Sequence, residues 1–458
     1  MVYNNFLSND WGKYEFETVN LGDKRRNKRL AKLVQERSTD IHSSISSNCG
    51  SWGETKAAYR FYENDSIDID MILLAHKDSI LNRIDKEKTL LAIQDTTLFN
   101  YEDKEIDGLG VLNDCEHFGF LLHNNLLYTT KKLPIGVISQ EFIVRKPSDF
   151  GKSETRYKRT IEEKESSKWL NALRETHEFH LNIPNTEIIT VADRECDIYD
   201  YFLEAKKLNE TILVRAAWDR LVETEQRHLW TYVETLDEEG ELTIDIPIKD
   251  SHKLREVTFS IKHGKVTLLP PNRRKKENLE KIEITVVYLK EKSNNDGICW
   301  LLIINKEVTT FEEACKIVDY YSQRWSIEIF HKILKSGCRI LERQFKDIEN
   351  IKRFITTDSI AAIRIQLMTM LGRVESEKTP CTIIFEEYEW QSLYCFVKKC
   401  KKLPEKVPSL REIILLIAKL GGFLERKNDK EPGIKSMWQG MERFYYISEM
   451  WKTMKEIN

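Results

Sequence analysis

Residues 187–193 read Glu187-Ile188-Ile189-Thr190-Val191-Ala192-Asp193, a β-branched, apolar run that stops at an acid. It is too short for a typical helix and apolar on both faces, which predicts a buried strand. An earlier stretch repeats the pattern, Thr89-Leu90-Leu91-Ala92-Ile93-Gln94 followed by Asp95. Phe118 to Tyr128 and Pro134 to Val144 read as two more strands, joined by a short linker holding Lys131-Lys132. Helical composition over Lys158 to Leu181, a helix from about Ile198 and a strand Thr211 to Val214 complete a mixed α/β sheet.

Outward from that sheet the pattern changes twice. Alternating runs over 220–305 (Glu241 to Ile248, Glu256 to Lys262, Glu283 to Leu289, Ile298 to Asn305) predict a β-rich insertion. Pro270-Pro271-Asn272 and a turn at 294–297 punctuate it. Residues 1–70 read as short helices, with Asp23 capping a basic segment and Glu54 to Tyr62 forming another. Beyond about 375 the chain is helical again. Ser409-Leu410-Arg411-Glu412 opens an apolar helix that stops at Gly421-Gly422. A last helix carries Met437, Met441, Phe444, Ile447, Trp451 and Met454 at 3–4 residue steps, read as packing within the C-terminal domain with part of it a dimer contact.

The chain has 458 residues, 71 basic and 74 acidic, so its net charge of −3 gives no global attraction to a polyanion. Local clusters do: Lys24, Arg25, Arg26, Lys28, Arg29 and Lys32 face one acid, Asp23, and basic runs recur at 273–276 and 398–402. Any one of these could be a solvated face. The longest wholly apolar run, Ile298 to Ile304, is far short of a membrane helix. Nine cysteines without a C-x-x-C pair argue against a disulfide framework or thiolate zinc site. The start of the chain lacks a secretory pattern, so a soluble protein of a reducing compartment is expected.

The chemistry concentrates at three places. Asp95 and Asp193 each follow a buried-type strand, where open α/β sheets bind ligands; taken singly, either could merely cap a turn. A long helix is predicted from the N-cap Thr310 to Gly337. On it Tyr321, Arg324, Glu328, Lys332 and Lys335 fall at offsets 0, 3, 7, 11 and 14, within about an 80° arc. One face then carries an acid among four donors suited to phosphate. Three carboxylates from two strand ends and a helix suit Mg²⁺ or Mn²⁺, and two such ions can drive displacement at phosphorus. His177 and His180 lack zinc-protease spacing and read as structural. No P-loop glycine motif is present.

Tyr321-x₂-Arg324-x₃-Glu328-x₆-Lys335 resembles the Y-(2)-R-(3)-E-(6)-K signature of bacterial DDE transposases of the insertion sequence four (IS-four) family. Asp95-Thr96-Thr97, Asp193-Arg194-Glu195-x-Asp197 and Glu342-Arg343-Gln344 follow the same family's order. Leu21-Gly22-Asp23-x-Arg25-Arg26, Ala58-Tyr59-Arg60-Phe61 and Leu420-Gly421-Gly422-Phe423 extend the resemblance over nearly the whole chain.

The resemblance implies an RNase H-like mixed-sheet catalytic core, an α/β fold with a β-rich insertion at about 220–305. Helical domains flank it: end-binding at 1–70, catalytic at 71–372, dimerisation at 373–458. Asp95, Asp193 and Glu328 would bind two Mg²⁺ ions, with Mn²⁺ able to substitute. The implied enzyme is a cut-and-paste transposase and endonuclease that nicks a transposon end, forms a hairpin, reopens it and joins the end to target DNA. Trp300 would stack on a flipped base, Tyr321, Arg324 and Lys335 would hold its phosphate, and Trp325 would fill the gap. Lys332 and Arg215 would touch end DNA. Arg25, Arg26, Lys28 and Arg29, with Tyr59 and Arg60, would read the end. The partners implied are double-stranded DNA and a second copy of the chain, in a bacterial cytoplasm at the nucleoid. A plain RNase H-like nuclease and a catalytically silent, DNA-binding inhibitor copy stay open as alternatives.

Overall fold

The computed structural model describes residues 4–457 apart from positions 9, 85–86, 103, 105, 113–115, 150–157, 248–253, 294–296, 375–377, 428 and 430. Its strands are β1 (Thr89–Asn100), β2 (Gly110–Val111), β3 (Phe118–Thr129), β4 (Pro134–Ile143), β5 (Glu187–Ala192), β6 (Thr211–Arg215), β7 (Gly240–Pro247), β8 (Leu254–Leu268), β9 (Ile282–Glu291) and β10 (Cys299–Ile304). The chain divides into two compact units. One comprises Met1–Glu87, Thr96–Lys152 and Ser326–Asn458, the other Lys88–Asp95 and Ser153–Trp325.

The second unit is built on a mixed sheet in the order β1-β5-β6-β10-β9-β8-β7. β1, β5 and β6 run parallel, and the other pairings are antiparallel. The β-rich stretch expected at 220–305 is therefore an extension of the same sheet. Its expected turn at 294–297 falls mostly outside the described residues. Alternation decides the faces. Ala192, Ile212, Val214, Ala216, Leu301 and Ile303 join one buried cluster with Trp169, Leu173 and Phe202, which come from the helices Ser167–His180 and Tyr199–Leu208. Each large apolar side chain buried there contributes about 1.5–3 kcal/mol. The intervening residues take the opposite face, and that face holds the chemistry.

The first unit centres on the helix Ile348–Val374, buried along nearly its whole length and on every side, with Arg353, Asp358 and Arg364 among its buried residues. It packs against β4 and the basic helix Lys24–Thr39. Asp23 caps the basic helix as expected, accepting from the Arg25 N–H at 2.8 Å. β3 and β4 form the predicted antiparallel pair. At the C-terminal end Ser409 caps Leu410–Leu420, and Gly421 follows it. A Cβ at Gly421 would lie 1.8 Å from the Ser436 carbonyl, and one at Gly440 only 1.9 Å from that of Ile417. The glycines let this helix and Ile434–Ile457 touch backbone to backbone. The methionine and aromatic stripe of Ile434–Ile457 divides: Met437, Met441 and Phe444 are buried, whereas Met454 is exposed.

Two expectations are corrected. β1 does not end at Asp95; Thr96-Thr97-Leu98-Phe99 is as strand-prone as what precedes it, and the strand runs on to Asn100, from one unit into the other. Nor is 310–337 one helix. Thr310 caps it as expected, but Phe311–Ser322 stops, Trp325–Lys332 starts afresh, and a π-helical turn Ile333–Gly337 follows. The Ser322 hydroxyl donates to the Asp319 carbonyl at 2.7 Å, and Arg324 N–H to the Tyr321 carbonyl at 3.0 Å. These i→i−3 bonds tighten the last turn and end the α-helical ladder. The arc computed for a single helix therefore does not apply.

Within the first unit, Glu15 is buried and accepts from Arg83 Nη1 at 2.8 Å, Arg83 Nη2 at 2.9 Å, Ser79 Oγ at 2.9 Å and His76 Nδ1. His76 Nε2 accepts from the Val137 N–H at 2.9 Å, so the ring proton sits on Nδ1. Burial alone would raise the Glu15 pKa, but Arg83 and His76 overcome it and pull the value down to about 2. A depressed carboxylate stabilises the fold above its unfolded pKa of about 4.5 and loses that contribution as pH falls toward 2. Burial also lowers the His76 pKa, which acts in the same direction. Urea midpoints measured from pH 5 to pH 3 should fall more steeply for the wild type than for Glu15→Gln. Parallel slopes would show that Glu15 is not the group responsible.

Candidate active site

Register places the first two acids. β1 and β5 pair from Thr89↔Glu187 to Ile93↔Val191, a constant separation of 98 residues, which carried two residues on sets Asp95 level with Asp193. β5 and β6 pair from Ile189↔Thr211 to Ala192↔Val214, a separation of 22, which sets Asp193 level with Arg215. Arg215 in turn faces Leu302 of β10. Asp95, midway along β1, Asp193, just past the end of β5, and Arg215, the last residue of β6, thus form one row across three adjacent parallel strands, about 4.8 Å apart and on the face away from the buried cluster. Trp300, two residues before Leu302, shares that face.

The helix Phe311–Ser322 adds a second layer. Tyr321 is buried and meets Trp300 edge to face, with ring centres 5.3 Å apart at 71°. Burial raises the Tyr321 pKa, against the opposing fields of Arg324 and Arg215 and with Asp193 adding to it. The hydroxyl is therefore a donor at neutral pH. Arg324 Nη1 stands 3.7 Å from Asp95 Oδ2, both side chains less than a fifth exposed. The Arg324 guanidinium also lies 5.2 Å over the Trp325 ring, and that indole is 56% exposed. Arg215 Nη2 donates to the Cys299 carbonyl at 3.2 Å, which fixes its direction. Asp193 accepts from the Glu195 N–H at 2.8 Å and caps the short turn Arg194–Cys196.

The remaining residues named from the sequence lie in the first unit. Glu328 is half-buried in the first turn of Trp325–Lys332. Lys332 is exposed, and Lys335 lies half-buried 5.6 Å over the Phe99 ring. On the basic helix, Arg25 and Lys28 are exposed, Arg29 is half-buried, and Arg26 donates to the Leu21 carbonyl at 3.1 Å. Arg60 is exposed, and Tyr59 rests against Phe345 with ring centres 6.5 Å apart. The basic run at 273–276 is not a free patch throughout, because Arg274 is bound to Asp200 and Glu277. Among the described residues, no three His, Cys, Asp or Glu side chains are gathered closely enough to hold a metal ion. Asp95 and Asp193, side by side in one row, do offer the hard oxygen pair from which such a site is built.

Asp197 closes the motif Asp193-Arg194-Glu195-x-Asp197, and nothing in the sequence gives it a role of its own. It is 2% exposed; its Oδ2 accepts from the N–H groups of Ala217 and Trp218 at 2.8 and 2.9 Å, and its Oδ1 from Arg220 Nε at 2.6 Å. The last acid of that motif is thus a brace between the segment after Asp193 and the segment after Arg215. Only its spacing from Asp193 could have hinted at this, since its partners lie about twenty residues away.

Among the described residues no helix is long and apolar enough to cross a membrane. Three family models match the chain in succession: Transposase DNA-binding over residues 8–67, Transposase DDE domain over 169–363, and Transposase Tn5 dimerisation domain over 360–454. The DDE match contains Asp193, Arg215, Trp300, Tyr321, Arg324 and Glu328, and begins after Asp95. With the DDE match lying in sequence between a DNA-binding match and a dimerisation match, the chain belongs to the Tn5-type DDE transposases, enzymes that bind DNA and form homodimers.

Proposed function

We propose that this transposase cuts its element's ends through a hairpin intermediate and joins them to target DNA, with Asp95, Asp193 and Glu328 holding two Mg²⁺ ions. The observation that carries the reading is the level row of Asp95, Asp193 and Arg215 beneath Tyr321, Arg324 and Trp300. Oxygen donors alone suit Mg²⁺, and Mn²⁺ by the same chemistry. Bound there, such ions supply a polarised phosphorus and an activated water or sugar hydroxyl.

The chain's own residues do the rest. Tyr321, Arg324 and Lys335 hold the phosphate of the flipped base, and Arg215 touches end DNA. Arg324 Nη1 faces the Asp95 carboxylate at 3.7 Å. Trp300, braced edge-on by Tyr321, offers a face for a base rotated out of the stack. Trp325, exposed and under the Arg324 guanidinium, is placed to occupy the space that base vacates. Lys332 follows the backbone of the end. The basic helix, with Arg25, Arg26, Lys28 and Arg29, and the Tyr59-Arg60 pair bind the end at a distance from the cut, a contact that weakens as salt rises. The exposed half of Ile434–Ile457 pairs two copies. By this reading the domains are end-binding at 1–70, catalytic at 71–372 and dimerising at 373–458.

Protein incubated with Mg²⁺ and DNA carrying the element's ends should release hairpin-ended fragments, resolved by denaturing gel. Nicked ends that never become hairpins would overturn this reading in favour of a plain nuclease. Base stacking makes a finer prediction: Trp300→Ala should slow hairpin formation about tenfold or more relative to the first nick. Equal slowing of both steps would remove Trp300 from that role.

A further inference from the structure

We propose that Trp218 is a DNA-contacting residue, an aromatic platform on which a base or sugar of the bound end stacks beside the acid row. The proposal rests on the DNA-transposase reading for its ligand, but not on the roles given to the acids.

Position comes first. β6 ends at Arg215, level with Asp193, and the chain runs on past the carboxyl edge of the sheet. The Ala216 N–H donates to the Leu301 carbonyl at 2.7 Å, so the strand pairing persists beyond Arg215. Continuing the pairing of Arg215 with Leu302 brings Ala217 opposite Trp300. Trp218 is the next residue, and 66% of it is exposed.

A single exposed aromatic is ordinary on a protein surface. What sets Trp218 apart is the loop that carries it. The N–H groups of Ala217 and Trp218 are both held by the buried Asp197 carboxylate. Asp219 accepts from the Trp230 N–H at 3.0 Å and pairs with His228 at 3.3 Å. Arg220 binds Asp197 through its side chain, and its carbonyl accepts from the Leu229 N–H at 2.9 Å. Four consecutive residues are therefore pinned, three of them by hydrogen bonds to a buried charge, the strong kind. The pinned loop presents its one large apolar side chain to solvent, three residues beyond Arg215. Every base has a π-face, so a rigid exposed ring there needs no particular sequence to stack on.

The test uses the full chain and a duplex cut from the element's terminus, without divalent ion so that binding is read apart from cleavage. With 5-iodouracil placed at successive thymines, ultraviolet light should cross-link Trp218 of the unaltered protein from at least one position near the cut. Trp218→Ala should bind the duplex roughly tenfold more weakly, and Trp218→Phe should regain most of the loss. Absence of a Trp218 cross-link from every position, or binding by Trp218→Ala equal to wild type, would overturn the proposal. Wild-type protein that binds through Trp218 yet makes no hairpin would leave it standing while removing the hairpin reading. Hairpins made by a Trp218→Ala variant of unchanged affinity would do the reverse.

Discussion

Asp193→Asn should lower end cleavage by about 10³-fold or more while leaving end binding within a factor of two or three. The substitution is nearly isosteric, and asparagine is as good a cap as aspartate, so the hydrogen bond from Glu195 N–H survives and with it the turn Arg194–Cys196. What disappears is one negative charge at the middle of the row Asp95–Asp193–Arg215. Stabilisation of the reacting phosphoryl group by ions held on carboxylates amounts to several kcal/mol, and each 1.36 kcal/mol is tenfold in rate. Glu328→Gln should behave alike. Single-turnover cleavage beside a gel-shift titration separates the two quantities. Cleavage by Asp193→Asn within tenfold of wild type would mean that the row is structural and the chemistry lies elsewhere. Asp95→Asn is the less clean variant, because it also removes the carboxylate facing Arg324 at 3.7 Å.

Why the row could be anticipated only in part follows from how strands pair. Glu187–Ala192 and the start of β1 were legible because β-branched and apolar residues in short runs have few other places to go. That each ends near an acid was equally plain. That the two acids lie level is a fact of register, and register between strands about 100 residues apart is fixed by packing of the whole sheet, not by local sequence. Arg215 joined the row for the same reason, and only family resemblance had singled it out.

The misread helix teaches the converse. Asp319-Tyr320-Tyr321-Ser322-Gln323-Arg324-Trp325-Ser326 contains neither glycine nor proline, so nothing marks a break. The break is made by the Ser322 hydroxyl and the tightened Arg324 turn, which local propensity cannot weigh against continued helix. Tyr321 and Arg324 still reach the acid row, but through contacts with Trp300 and Asp95 and not through a shared helical face with Glu328. The family spacing stands here without the continuous helix first drawn to explain it.

Asp358→Ala should destabilise the protein by about 3–5 kcal/mol, the largest effect expected away from the acid row. Arg37, in the last turn of the basic helix, and Asp358, in the core helix Ile348–Val374, are 2% and 0% exposed. The guanidinium meets the carboxylate in two parallel bonds, Nε to Oδ1 at 3.0 Å and Nη2 to Oδ2 at 2.8 Å. Its remaining donors go to the Ser43 and Ile41 carbonyls and Asn48 Oδ1. Removing the carboxylate leaves a buried cation with its neutral partners only, and the cost is that of an uncompensated charge. Because Arg37 ties the helix bearing Arg25, Arg26, Lys28 and Arg29 to the core, the loss should first loosen the element assigned to end binding. Urea unfolding should show the lowered midpoint, and gel shift at a temperature where the variant is still folded should show weaker binding. The double change Arg37→Met with Asp358→Leu removes both charges at similar volume and should recover most of the stability. A single Asp358→Ala variant losing less than about 1 kcal/mol would mean that water reaches the guanidinium and that the pair does not anchor the helix.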